Sequence, residues 1–141
     1  MYSNTKTTLG YSLAQITRIW NQRFIEKLRV QGYYNLKPSF CSVFVPLFEN
    51  DGQSAAELAR ATRITKQTIG IYVGELQQRG YIKFVPDDKD KRIRRIFLTA
   101  KGSMLRNVFE SANTAIGKEI CSHLQGAESA QLSLLLGKCL S

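Results

Sequence analysis

Between Arg79 and Lys101 the chain reads RGYIKFVPDDKDKRIRRIFLTAK, a stretch that few folds can accommodate. Two runs rich in β-branched and aromatic residues, Tyr81 to Val85 and Ile93 to Thr99, flank a polar segment from Pro86 to Arg92. Such runs favour extended backbone, and Pro, Asp and Lys interrupt it, so the segment is predicted to be a β-hairpin. Its connection is too long for a two-residue turn and should project from the body. The hairpin follows directly on two helices, and that order organises the rest of the chain.

Ser54-Ala55-Ala56-Glu57 is a capping box. The Ser hydroxyl takes the amide of Glu57 while the Glu carboxylate reaches back to the amide of Ser54. The helix it opens ends near Thr62. After a short turn, Thr65 is an N-cap for a helix running to about Arg79, with Gly80 at its C-terminus. Ile69, Tyr72, Val73 and Leu76 form its inward stripe; Lys66, Gln67, Gly70, Gly74, Gln77 and Gln78 face outward. This is the spacing of a helix-turn-helix. The second helix of such a unit enters the DNA major groove with its N-terminal residues nearest the bases, here Thr65, Lys66, Gln67 and Thr68. Gln can bridge adenine N6 and N7, Lys can reach guanine O6 or N7, and Thr can bond either or touch a thymine methyl. Ser54, Gly70 and Ile71 complete this predicted DNA-facing set.

Charge supports a polyanionic partner. Of a formal net charge of +9, nearly all lies between Arg60 and Arg106, where twelve Lys or Arg meet four Asp or Glu; elsewhere the numbers are eight and seven. Neutralising phosphates releases condensed counterions, so a basic third of a chain is an electrostatic footprint. In the hairpin, Lys89, Lys91, Arg92, Arg94 and Arg95 are candidate contacts, and an Arg at a loop tip suits a narrow minor groove. Asp87, Asp88 and Asp90 would repel phosphates unless one turns inward and holds an Arg through a charge-assisted bond. A solvated hairpin with idle salt bridges is the alternative.

The ends of the chain are helical by pattern. Leu9, Leu13, Ile16, Ile19, Trp20, Phe24 and Leu28 recur at helical steps, with Gly32 a stop. Leu36 to Phe48 is a second helix, opened by Pro38 and expected to kink or end at Pro46. Thr99 caps a long helix bearing Leu105, Val108, Phe109, Ala112, Ile116, Ile120 and Leu124, and after Gly126 a last helix covers Ser129 to Leu140. The predicted fold is mostly α with a small β-hairpin. One domain spans 1–141, with a winged helix-turn-helix over 36–100 and helical dimerisation regions at 1–32 and 101–141. Broad apolar stripes at both ends point to a two-fold interface, the alternative being a bundle within one monomer. A dimer places two recognition helices ~34 Å apart.

Particular residues also resemble a known family. Asp90-Lys91-Arg92, then Arg94, Phe97-Leu98-Thr99 and Gly102 resemble the wing and following helix start of MarR-type regulators. Ser54-Ala55-Ala56-Glu57-Leu58-Ala59 through Thr68 to Leu76, and Gly80-Tyr81-Ile82, resemble their helix-turn-helix; Leu36-Lys37-Pro38 resembles the start of their second helix. The resemblance implies a homodimeric winged-helix transcription regulator, usually a repressor, on a pseudo-palindromic operator. It implies release from DNA by a small phenolic or lipophilic ligand, or by an oxidant. It also implies that Asp90 braces the wing, that Arg92 enters the minor groove, and that Lys66, Gln67 and Thr68 face the major groove. Ile71 and Gly70 depart from the polar residues common in such recognition helices, and Phe40-Cys41 departs from the usual second helix. Ile71, Gly70 and Gly74 on the outward face favour an alternative, a winged-helix interaction module with weak, largely non-specific DNA binding.

The aromatics Tyr11, Trp20, Phe40 and Phe44 are candidates for an effector pocket, with simple core packing as the alternative. Cys41 is the candidate redox residue, against the alternative of a buried small hydrophobe. No nucleophile–base pair, carboxylate dyad or phosphate-cradling Gly loop is readable, so no enzymatic activity or cofactor is expected. His123 stands alone and offers no metal site. Three dispersed cysteines, no secretory h-region and no apolar run of ~20 residues lead to the expectation of a cytoplasmic protein without a membrane partner.

Overall fold

The computed structural model describes residues 8–141, so the first seven residues of the expected 1–32 helical region lie outside the described residues. Helix α1 (Leu9–Val30) leads to a 3-10 turn (Pro38–Phe40) and α2 (Cys41–Glu49). Helices α3 (Ala55–Thr62) and α4 (Lys66–Gln78) follow, then strands β1 (Ile82–Pro86) and β2 (Arg94–Leu98). The chain ends in α5 (Ala100–Ser103), α6 (Leu105–Ile120) and α7 (Glu128–Leu140). Among the described residues no helix is long and apolar enough to cross a membrane.

Local hydrogen bonds account for most of these boundaries. The capping box is complete: Ser54 Oγ accepts from Glu57 N at 3.2 Å, and Glu57 Oε2 accepts from Ser54 N at 3.2 Å. Arg63, with φ of 59°, turns the chain from α3 into α4. Pro46 does not break α2; the helix runs three residues further, and its carbonyl accepts from Asn50 N and from Gln53 Nε2. Pro38 opens a 3-10 turn, not an α-helix, so the predicted second helix is split in two. The helix expected after Thr99 is interrupted at Met104 and stops at Ile120, short of Leu124.

One core unites the elements. Phe44 of α2 meets Phe109 of α6 at 5.2 Å and Tyr81, at the foot of β1, at 5.8 Å, both edge to face. Phe24 of α1 meets the same Phe109 at 5.1 Å. Leu58, Ile69, Val73 and Leu76 seal α3 and α4 against it, each fully buried or nearly so. Strands β1 and β2 pair antiparallel from Ile82↔Leu98 to Pro86↔Arg94, so Pro86 closes a strand and does not begin the loop. A single bridge, Gln53↔Ile96, docks β2 on the segment before α3.

The corner between the hairpin and α5 is densely bonded. Thr99 N donates to Tyr81 O at 3.0 Å, its hydroxyl donates to Gly80 O at 2.6 Å, and the same oxygen accepts from Gly102 N at 3.2 Å. Lys101 Nζ adds a bond to Arg79 O at 2.8 Å. By contrast, α7 buries no residue, and Leu9, Leu13, Ile16 and Ile19 of α1 lie open to solvent with Leu134, Leu135 and Leu140 of α7.

Candidate nucleic-acid interface

Helix α4 begins as its sequence requires. Thr65 Oγ1 accepts from Thr68 N at 3.2 Å and donates to Thr68 Oγ1 at 2.9 Å. The Thr65 hydroxyl is thus engaged by the cap, while Lys66 and Gln67 project beyond it, fully exposed. Gly70 and Ile71 are exposed on the next turn, and Thr68 is half-buried.

The hairpin tip is knitted together by its own carboxylates. Asp87 Oδ2 accepts from the amides of Lys89 and Asp90 at 3.1 and 3.0 Å, and Asp87 N donates to Ile93 O at 2.8 Å. Asp90 takes Arg92 as a fork: Nε donates to Oδ1 at 3.0 Å, Nη2 to Oδ2 at 3.1 Å, and the Arg92 amide adds a third bond at 3.1 Å. That guanidinium holds the Asp90 carboxyl below its usual range. Arg92 remains 91% exposed, so it is aimed without being covered. Two of the three tip carboxylates, Asp87 and Asp90, are thereby turned back on the hairpin, while Asp88 stays exposed. A free Asp there would repel a phosphate; a forked one presents its Arg.

Arg95 requires a correction. It stands in sequence among the candidate DNA contacts, yet its side chain is half-buried and paired with two carboxylates. Its Nε donates to Asp87 Oδ1 at 2.8 Å, and its Nη1 donates to Glu57 Oε1 and Oε2 at 3.0 and 3.1 Å. These bonds are the leading cause that lowers both the Asp87 and the Glu57 carboxyls. Glu57 therefore serves twice, in the cap of α3 and as an anchor for the hairpin. Sequence reasoning found the first role because it is local. The second spans 38 residues and left no signal. Arg94, next door, lies over the Phe84 ring at 4.0 Å and stays exposed.

A concavity of about 290 Å³ separates α4 from the hairpin, and Ser54, Lys66, Arg92 and Arg94 line it together. Three elements thus deliver three cations and a hydroxyl to one surface, with no carboxylate in the lining. Lys89 and Lys91 extend the basic surface along the exposed tip.

Other candidates are dispersed. Phe40 and Phe44 are wholly buried core residues, Trp20 is half-buried against the core, and Tyr11 is exposed on α1. The four do not come together as a pocket. Cys41 is half-buried, and burial pushes its thiol up to about 11, opposite to the shift a redox thiolate needs. Lys37, the nearest basic residue in sequence, pairs instead with Glu75 at 3.2 Å. Among the described residues no His, Cys, Asp and Glu grouping could hold a metal ion.

Residues 48–93 match the model of the MarR family. The uncharacterized HTH-type transcriptional regulator YybA of Bacillus subtilis is 25% identical over 92 residues, which are 65% of this chain and 61% of YybA. Thus the chain spans less than two thirds of that relative. The S. aureus MepR–DNA complex superposes with a TM-score of 0.80 at 24% identity, covering 94% of this chain and 96% of MepR. Bordetella bronchiseptica BpsR, whose DNA binding is regulated by 6-hydroxynicotinic acid, gives 0.84 at 20% identity, covering 98% and 96%. The fold is that of the MarR-type winged-helix regulators, and the segment carrying the helix-turn-helix and the hairpin tip is the part that matches the family's model.

Proposed function

We propose that this MarR-type chain is a sequence-specific double-stranded DNA-binding transcriptional regulator, acting as a homodimer on a pseudo-palindromic operator. The observation that carries the reading is the convergence of Lys66, Arg92 and Arg94 on one concavity while Asp87 and Asp90 fold back onto the hairpin. In this reading α4 lies in the major groove, with Lys66, Gln67, Thr68, Gly70 and Ile71 toward the bases. Ser54 and Thr65 sit at helix starts that favour phosphate oxygens. Lys89, Lys91, Arg92 and Arg94 follow the backbone toward the minor groove, and Asp90 holds Arg92 in line.

The test compares two exposed arginines by fluorescence anisotropy on a duplex selected from a random pool. Arg92→Ala should weaken binding by roughly tenfold or more, while Arg18→Ala, on α1, should leave it unchanged. Equal effects would remove the hairpin from the interface. Affinity should also fall steeply with salt.

The homodimer is supported by the apolar faces that α1 and α7 leave open. We assign the regulator as a repressor relieved by a small aromatic or lipophilic effector. BpsR supplies the analogy, and a concavity of about 280 Å³ beside Arg29, Tyr34, Lys37 and Arg79 supplies a seat. Loss of DNA binding on adding 6-hydroxynicotinic acid or simple phenols checks this; DNA binding indifferent to all of them contradicts it. A second reading, a winged-helix interaction module with weak DNA binding, draws on the exposed Ile71. Sequence-indifferent DNA binding beside a tight protein partner would select it.

A further inference from the structure

Gln67, Ile71, Gly74 and Gln78 fall on one line of α4 at steps of four, three and four residues, opposite the buried Ile69, Val73 and Leu76. Within that line Ile71 is the apolar member with a side chain, and it is 56% exposed. A β-branched residue at an exposed helix position contributes little to the helix. Around it the line is open. A Cβ placed at Gly70 or Gly74 meets nothing within 4 Å, and neither glycine has the positive φ that would demand it. The backbone beside Ile71 can therefore approach a partner surface closely. Lys66, at the start of the same helix, shares a concavity with Arg92 and Arg94, so α4 carries this apolar point on an element whose first turn is cationic.

We infer that Ile71 is a specificity-determining residue that reads the 5-methyl group of a thymine. The inference rests on the DNA-binding reading above and names what that surface selects. In the major groove every base edge presents hydrogen-bonding groups, and thymine adds a methyl. A branched alkyl side chain gains by packing on that methyl. Set against a cytosine amino group or a guanine edge, it buries a polar group with no partner. Ile71 thus favours thymine and disfavours G·C at the same position. The two copies in a dimer demand one such thymine in each half-site. The polarity missing from α4 is then a means of selection by apolar contact and exclusion.

The experiment takes duplexes selected by the full-length protein from a random-sequence pool. They are resynthesised with deoxyuridine replacing thymidine one position at a time, which removes the methyl and keeps the pairing. The expected result is a loss of about four-fold in affinity at one symmetry-related position per half-site, the worth of one buried methyl group. Ile71→Ala should bind the thymine duplex more weakly and no longer distinguish it from the uracil duplex, and Ile71→Val should retain part of the difference. Circular dichroism confirms that the exposed substitutions leave the fold intact. Selected duplexes bound equally well with thymine and uracil at every position would overturn the inference. So would full discrimination by Ile71→Ala, while the DNA-binding reading survives in both cases. Selection of no duplex at all would overturn the DNA-binding reading and leave Ile71 to a protein partner.

Discussion

Gly102 has no room for a side chain, because a Cβ there would lie 2.1 Å from the carbonyl oxygen of Tyr81. The obstruction is backbone and cannot rotate away. Gly102→Ala should therefore destabilise the protein by about 1–3 kcal/mol or more, read as a lower urea midpoint. At Cys41 the argument is electrostatic. A thiol pushed up to about 11 by burial stays protonated near neutral pH and nucleophilically quiet. Mass-spectrometric mapping after iodoacetamide at pH 7.5 should find Cys41 modified far more slowly in the folded protein than in the urea-unfolded chain. Labelling of Cys41 should accelerate only as the pH climbs toward 11. Preferential labelling of Cys41 at neutral pH would restore a redox role for it.

Among the elements, the hairpin depends most on distant residues. Arg95 ties its tip, through Asp87, to the cap of α3, through Glu57. The folded state lowers both carboxyls, so their contribution to stability is present above the unfolded values of about 4 and fades as the pH falls through the lower folded ones. Arg95→Met should lower the melting temperature by an amount that is constant from pH 8 to about pH 5. The gap from the parent should close below about pH 4. It should also weaken duplex binding although Arg95 is covered by its two partners. A gap that widens in acid would contradict the brace. Elements set by near neighbours were legible before the fold was known. Ser54, Glu57 and Thr65 bond within one turn of themselves, and the stripe of Ile69, Val73 and Leu76 repeats every three or four residues. The Asp90–Arg92 fork was legible only through the family resemblance, since the charges alone left open which Asp would hold an Arg. What escaped was long in range. Neither the reach of Glu57 to Arg95 nor the Gln53↔Ile96 bridge has a sequence signature. Pro46 misled because proline's cost falls on the bond to the preceding turn, and α2 ends soon after regardless.

For the whole molecule the open faces of α1 and α7 are the surfaces that the proposed dimer would cover. Leu134, Leu135, Ile16 and Ile19 are each more than two-fifths exposed in one chain, apolar side chains on two helices that a dimer interface would cover. Sedimentation at micromolar concentration should give a dimer, and the melting temperature should rise with protein concentration. Leu135→Glu should shift the distribution to monomer and, with it, abolish tight binding to a two-half-site duplex. A dimeric Leu135→Glu variant with unchanged affinity would place the interface elsewhere. The bonded corner around Thr99 bears on how the proposed dimer would handle DNA. With Thr99 and Lys101 fastening the start of α5 to the Arg79–Tyr81 corner, the hairpin and α5 are expected to turn together as one crank. A crank arm five residues long spans about 17 Å, so a rotation of about 10° at its root carries the tip about 3 Å, half the width of a minor groove.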